Sequence, residues 1–294
     1  MKLSYYPGCT LKTSAKHFEE SAFKVMEKLG HPMQEMENWI CCGTVFSMTT
    51  DDLMLQLSAI RNLLRAEEQN IDELVVLCSM CYNTLRRAKK FITADEENLA
   101  TVNDIMYDED VKFSGRVKIT QLLQLLKEKI GYDTIAARVE KPLAGLKAGA
   151  YYGCLLVRPQ EFTIDPDFED PSIMEDLITV AGGEGVAFPL RLECCGAYQT
   201  VKQKEITAQR TFEIISSARK AGCETVITSC PLCAFNLDQR QKEVIAERVD
   251  FRPMPVFYVT ELLSVALGGG WNNEWKKLHY VDPEQLLREK NLIK

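Results

Sequence analysis

The stretches Leu74-Val75-Val76-Leu77-Cys78-Ser79-Met80-Cys81 and Thr225-Val226-Ile227-Thr228-Ser229-Cys230-Pro231-Leu232-Cys233 each run a short, β-branched segment into a Cys-x-x-Cys pair. An apolar run of this length reads as a buried parallel strand. Helix-forming sequence follows each pair, Tyr82 to Phe91 and Ala234 to Ala246. A strand that delivers two cysteines to a helix N-terminus puts them where the helix dipole and free N–H groups stabilise thiolate. Strands alternating with helices argue for α/β layers around a mainly parallel sheet.

Working outward, each pair belongs to a set of five. The first set is Cys9, Cys41, Cys42, Cys78 and Cys81; the second is Cys154, Cys194, Cys195, Cys230 and Cys233. The offsets between sets are 145, 153, 153, 152 and 152 residues, and each doublet precedes a glycine, Gly43 or Gly196. An internal duplication is the simplest explanation. The flanks agree: Tyr5-Tyr6-Pro7-Gly8-Cys9 parallels Tyr151-Tyr152-Gly153-Cys154, and Lys118 to Leu123 echoes Tyr258 to Leu263. The first copy is longer between its last cysteine and that echo, and the polar stretch from Ala94 to Ser114 reads as a surface excursion. We divide the chain into domains 1–143 and 144–294, with a linker near Lys141-Pro142 to Gly149.

The same rhythm recurs in both copies. Strands Leu3 to Tyr6 and Ala148 to Tyr152 end at the first cysteine. A helix is expected from Leu11 to Leu29, with Phe18, Ala22, Val25 and Met26 at helical spacing and Gly30 as its stop. A second helix, Asp51 to Glu68, opens on Thr50 or Asp51 as a cap and is matched by Thr207 to Ala221, which stops at Gly222.

The chain has 294 residues, 46% of them hydrophobic, and a net charge of −7. That is enough apolar material for two cores, so cysteines are not needed as staples. The acidic balance gives no support for nucleic-acid or anionic-membrane contact. No run approaches the roughly 18 apolar residues of a membrane helix, and no targeting segment is visible. The expectation is a cytoplasmic protein, where clustered thiols mean metal or redox chemistry. A disulfide framework conflicts with that setting. Zinc competes, since one Cys-x-x-Cys plus two thiolates completes a tetrahedral site, but zinc leaves a fifth cysteine over in both copies. Iron–sulfur ligation spreads thiolates over several irons and accommodates all five.

The pattern Cys-x(31–39)-Cys-Cys-Gly-x(34–35)-Cys-x-x-Cys resembles the CCG domain, and two in one chain resemble the B subunit of heterodisulfide reductase from methanogenic archaea. The resemblance implies two CCG domains related by a pseudo-twofold, each with a small mainly parallel sheet flanked by helices. It implies that each set of five cysteines ligates one non-cubane [4Fe–4S] cluster. It also implies catalysis at the clusters, with no catalytic side chain: reduction of the mixed disulfide of coenzyme M and coenzyme B to two thiols. Two one-electron sites suit the two halves of a disulfide. The implied partners are a small ferredoxin-like subunit, the direct donor, and a flavin-containing subunit, the site of electron bifurcation, with hydrogenase or formate dehydrogenase upstream. The alternative is a CCG electron-transfer subunit of lactate, succinate, fumarate or glycerol-3-phosphate metabolism.

An anionic substrate would call for basic residues near the ligands, and Lys12, Arg86, Arg158 and Lys202 are the candidates; surface charges or partner contacts are the competing reading for each. Tyr6 and Tyr152 are expected to pack beside the clusters. Cys223 is expected as a buried thiol at a strand start. His17, His31 and His279 share no pattern and are not assigned as ligands. Trp39, Trp271 and Trp275 are read as packing or interface residues, with Trp39 able to shield a cluster. Phe235 and Asn83, just after the last cysteines, are weaker candidates for the same role. Gly182-Gly183-Glu184-Gly185 follows a helix and reads as its C-cap rather than a nucleotide loop.

Overall fold

A computed structural model describes residues 3–44 and 52–294. The first copy contains β1 (Leu3–Tyr6), α1 (Lys16–Lys28), β2 (Met33–Glu35), α2 (Leu57–Glu68), β3 (Glu73–Val76), α3 (Ser79–Thr93), α4 (Glu96–Ile105), β4 (Lys118–Gln121) and α5 (Leu122–Gln124). A π-helical turn and α6 (Tyr132–Ala137) lead to the second copy. There β5 (Lys147–Ala150), α7 (Ile173–Val180), β6 (Glu184–Val186), α8 (Lys204–Lys220), β7 (Thr225–Thr228), α9 (Pro231–Gln239), α10 (Gln241–Glu247), β8 (Val256–Tyr258) and α11 (Val259–Ala266) follow, and α12 (Glu284–Glu289) ends the chain's helices.

The strands form two four-stranded sheets in the orders β2-β1-β3-β4 and β6-β5-β7-β8. Every pairing between these strands is parallel. In this order the chain leaves β1 toward one edge and leaves β3 toward the other. The crevice between their carboxyl ends is therefore a topological switch point, where open α/β sheets place their ligands. The same holds between β5 and β7.

The expected strands and helices form, with shifted boundaries. The first helix opens at Lys16 instead of Leu11, because residues 11–15 turn back on the Cys9 loop; the Thr13 hydroxyl donates to the Cys9 and Thr10 carbonyls, both at 3.2 Å. The caps Thr50 and Asp51 lie outside the described residues. Asp52 caps a 3-10 turn, Leu53–Gln56, that runs into α2. The helix expected from Ala234 starts three residues earlier and is split at Arg240 into α9 and α10. The polar excursion of the first copy holds α4, capped by Asp95. The proposed linker overlaps β5, which begins at Lys147. Gly182 does close α7, but Glu184 and Gly185 open β6.

Strand register also corrects one parallel between the copies. Gln121 pairs with Val76 as Tyr258 pairs with Thr228, so Gln121 corresponds to Tyr258, three residues from the match suggested by the sequence echo. Gln121 caps the following helix through a capping box with Gln124, and at Tyr258 the Glu261 carboxylate reaches back to accept the Tyr258 N–H at 2.8 Å.

One continuous core runs through both halves. Helix α1 of the first copy packs on α11 of the second. There Phe18 stacks on Tyr258 with ring centroids 4.2 Å apart, and the buried hydroxyls of Ser21 and Thr260 lie 2.6 Å apart. Among the described residues no helix is long and apolar enough to cross a membrane.

Candidate iron–sulfur sites

Each switch point gathers one set of five cysteines, and none of the thiols is in a disulfide. In the first site Cys41 Sγ lies 3.9 Å from Cys9 Sγ, and Cys42 Sγ lies 3.5 Å from Cys81 Sγ. In the second, Cys195 and Cys233 are 3.6 Å apart, and the Cys233 N–H donates to Cys230 Sγ at 3.4 Å, so Cys230 caps α9. The two sites are oriented alike. The second cysteine of each doublet and both members of each Cys-x-x-Cys are buried, whereas Cys9 and Cys41 are exposed and Cys154 and Cys194 are half-buried.

Two devices hold this geometry in both copies. Gly8 and Gly153 adopt φ of +70° and +64°, and a Cβ there would meet the Cys81 or Cys233 sulfur at 2.9 or 3.1 Å. A side chain is strained at both positions by the positive φ, and at Gly8 it would also crowd the sulfur more closely than a Cβ tolerates. The second device is a tyrosine. Tyr6 donates to the Ile40 carbonyl at 2.7 Å and Tyr151 to the Glu193 carbonyl at 2.6 Å, in each case the residue before the doublet. Tyr6 packs beside the first site, as expected. Its counterpart at the second is Tyr151, not Tyr152; Tyr152 instead bonds Glu175 and the Met174 N–H. The reason is register: Tyr5 pairs with Val75 as Ala150 pairs with Ile227.

Crowding sets the thiol electrostatics. Contact with Cys154 and Cys195 lowers Cys194 to about 2, while Cys154 is raised by the same contact and by burial. In the first site Cys42 is lowered by Cys41 and Cys81, and Cys81 is raised by Cys42, Cys78 and burial. Neighbouring sulfurs compete for negative charge, so a buried set of this kind ionises fully only around a cation. Five thiols gathered at one switch point, several with sulfurs under 4 Å apart and none in a disulfide, fit a multi-iron cluster.

The buried ends of the two sites meet at the seam. Cys230 is lowered to about 7, chiefly by Cys233 and also by a hydrogen bond from Ser79 of the first copy. Gln121 donates to the Leu77 carbonyl at 3.1 Å and the Ser229 hydroxyl at 3.0 Å, and Tyr258 feels both Cys78 and Cys230. Asn83 is fully buried. Its amide donates to the Leu155 and Arg158 carbonyls at 3.1 and 2.8 Å, fixing the loop that follows Cys154.

Of the four basic candidates, Lys12 pairs with Glu19 and Glu35. Arg86 bonds the Tyr82 hydroxyl and the Glu161 carbonyl, facing a cleft of about 520 Å³ that also holds Lys89, Lys90, Arg116 and Lys118 and no cysteine. Arg158 donates to the Leu192 carbonyl at 3.0 Å, close to the second doublet, and Lys202 is exposed. The sequence reading missed Arg87 and Tyr198. Burial and the nearby thiols of Cys154 and Cys194 push the Tyr198 hydroxyl up to about 12, and Arg87 opposes them. Tyr198 lies two residues past Gly196, a spacing that could have drawn attention to it; Arg87 comes from the other copy and gave no signal.

Trp39 packs edge-on against Tyr6 and donates to Glu35 at 2.7 Å. Trp271 and Trp275 are seam residues, bonded to Glu284 and, across the copies, to Glu20. Phe235 is exposed beneath Arg240. Cys223 is a buried thiol against Gly149, pushed up to about 11 by burial.

Two parallel sheets with a cysteine-lined switch point in each define a duplicated, cysteine-rich redox scaffold of iron–sulfur type. Residues 3–86 and 148–238 match the cysteine-rich CCG domain, and the chain belongs to that family. It is 30% identical over 270 residues to the 8-methylmenaquinol:fumarate reductase membrane anchor subunit of Wolinella succinogenes, covering 91% of this chain and 92% of that protein. It is 26% identical over 298 residues to the B subunit of the ferredoxin:CoB-CoM heterodisulfide reductase of Methanosarcina mazei, covering 99% and 94%. Among solved structures, a hypothetical protein from Helicobacter pylori superposes with a TM-score of 0.71 at 12% identity; the match covers 95% of this chain and 51% of that one.

Proposed function

We propose that this chain is the cluster-bearing, catalytic subunit of a heterodisulfide reductase. Cys9, Cys41, Cys42, Cys78 and Cys81 would hold one non-cubane [4Fe–4S] cluster, and Cys154, Cys194, Cys195, Cys230 and Cys233 the other, one in each of the domains 1–143 and 144–294. The observation that carries the reading is the shared orientation of the two thiol sets, buried ends converging at one seam and two thiols of each turned outward. Bound clusters would supply electrons one at a time, and a disulfide accepts two. The chain's own part is to hold the thiols: Gly8 and Gly153 let the backbone close on them, and Tyr6 and Tyr151 fix the doublets. At the second site Arg87, Arg158 and Tyr198 offer polar contacts to an anionic substrate at the outward edge.

The substrate proposed is the coenzyme M–coenzyme B mixed disulfide, by analogy with the heterodisulfide reductase relatives. A small ferredoxin-like subunit would deliver the electrons, fed by a flavin-containing subunit, with hydrogenase or formate dehydrogenase upstream. The 30% identity to a fumarate reductase subunit favours a second reading, in which the chain relays electrons for another oxidoreductase. Anaerobic assay of the cluster-loaded complex with reduced viologen separates the two. Turnover of the mixed disulfide with release of two thiols supports the first. No turnover with both clusters intact, joined to fumarate reduction that depends on this chain, supports the second.

A further inference from the structure

Beside the seam, three residues from separate parts of the chain come together. His17 lies at the start of α1, Glu261 in the first turn of α11, and His279 in the segment leading to α12; their potential ligand atoms all lie within 4.8 Å of one another. Glu261 is fully buried, and one carboxylate oxygen accepts the Tyr258 N–H at 2.8 Å while the other meets His279 Nε2 at 3.0 Å. The other ring nitrogen of His279 serves the Val256 carbonyl. His17 is 4% exposed, and its Nδ1 has no hydrogen-bond partner among the described residues.

A carboxylate removed from water needs a positive partner, and an imidazole nitrogen buried beside it needs a donor or an acid. His279 alone meets the first need and leaves the buried His17 Nδ1 without a partner among the described residues. A divalent cation meets both needs at once, taking a lone pair from each ring and one oxygen from Glu261. Two histidines and a carboxylate form a three-ligand set that leaves a fourth position open on zinc. The outer contacts that orient such ligands are in place, at the Val256 carbonyl and the Tyr258 N–H. A cavity of about 260 Å³, lined by His17, Tyr258, Asp238 and His279 among others, gives an entry path and room for water.

We propose that His17, Glu261 and His279 form a divalent-cation site of zinc class that fastens α1 of the first copy to α11 and the C-terminal segment of the second. It uses none of the cysteines and stands whether or not they hold iron. It would brace Tyr258, the ring between the buried ends of the two thiol sets.

The test is metal analysis and zinc-edge X-ray absorption on cluster-loaded protein, incubated anaerobically with zinc and then dialysed. The expected result is about one zinc per chain with nitrogen and oxygen neighbours at about 2.0–2.1 Å and no sulfur shell near about 2.3 Å. His17→Asn and Glu261→Gln should each lower zinc retention at least about tenfold. Iron content and cluster spectra should hold at wild-type levels. His17→Asn decides alone if Glu261→Gln, which changes a fully buried position, fails to fold. Absence of zinc from the wild type, a sulfur shell, or undiminished zinc in folded His17→Asn would each overturn the proposal.

Discussion

The two cysteine sites share their strand order, their glycine, their tyrosine clamp and their buried Cys-x-x-Cys, yet they differ in cover. At the first, Cys9 and Cys41 are exposed; at the second, Cys154 and Cys194 are half-buried. The neighbouring copy also contributes unequally to the two sites. Helix α3 of the first copy lends the second site three side chains: Ser79 on Cys230, Asn83 on the loop after Cys154, and Arg87 beside Tyr198. Among the described residues the return contribution is smaller, chiefly Tyr258 near Cys78. Duplication supplied two like scaffolds, and among the described residues the contacts that cross the seam to them are unequal.

The comparison is tested most severely by removing one sulfur from each site. Cys81→Ala and Cys233→Ala should each take iron from about eight to about four per chain, with turnover falling more than about tenfold. Iron analysis and electron paramagnetic resonance would show it. If either variant lost both clusters, the sites would not be independent in assembly. Next in size is accessibility. An iron chelator or a trace of oxygen should strip the first site several-fold faster than the second, as seen from which signal survives a timed exposure. Faster loss at the second site would reverse the assignment of cover.

Asn83→Ala should lower stability by about 1–3 kcal/mol, since it removes two part-buried hydrogen bonds worth about 0.5–1.5 kcal/mol each. Thermal unfolding gives the number, and the accompanying spectral change should be confined to the second site. The smallest expected effect is that of Ser79→Ala. The lost hydroxyl hydrogen bond, worth about 1 kcal/mol, lets the Cys230 thiol rise in the cluster-free protein. Thiol titration of apo-protein should show that rise, and the first site's signal in the loaded protein should not move. An equal change at both sites would mean that Ser79 acts through the fold as a whole.

Much of the frame was legible in the sequence because it is written in covalent spacing. The nearly constant offset between the two sets of five cysteines gave the duplication, and each β-branched run before Cys-x-x-Cys gave a parallel strand. Helix stops at Gly30 and Gly222 lie just beyond α1 and α8. Boundaries slipped where a loop had another task, as at residues 11–15, which turn around the Cys9 carbonyl. The echo between Lys118–Leu123 and Tyr258–Leu263 misled because apolar helix starts look alike at several registers. Hydrogen bonding between strands permits only one. Tyr152 was preferred to Tyr151 for a similar reason: adjacent tyrosines look equivalent until the pleat sends them to opposite faces.

The basic residues show the limit of proximity in sequence. Lys12 is near Cys9 in the chain, yet its ammonium is engaged by two glutamates. Arg87 follows the first site's last cysteine and serves the second site. The histidines are a sharper case: His17 and His279 stand 262 residues apart with no shared motif, and only the packing of α1 on α11 brings them to Glu261.

What the sequence by itself determined is the pair of repeating units, because strand propensity, helix capping and ligand spacing act over a few residues and survive duplication as a readable pattern. What only the tertiary structure decided is how the units face each other, which thiols turn outward, and which side chains cross the seam. Those depend on contacts between residues far apart in the chain, and no local periodicity encodes them.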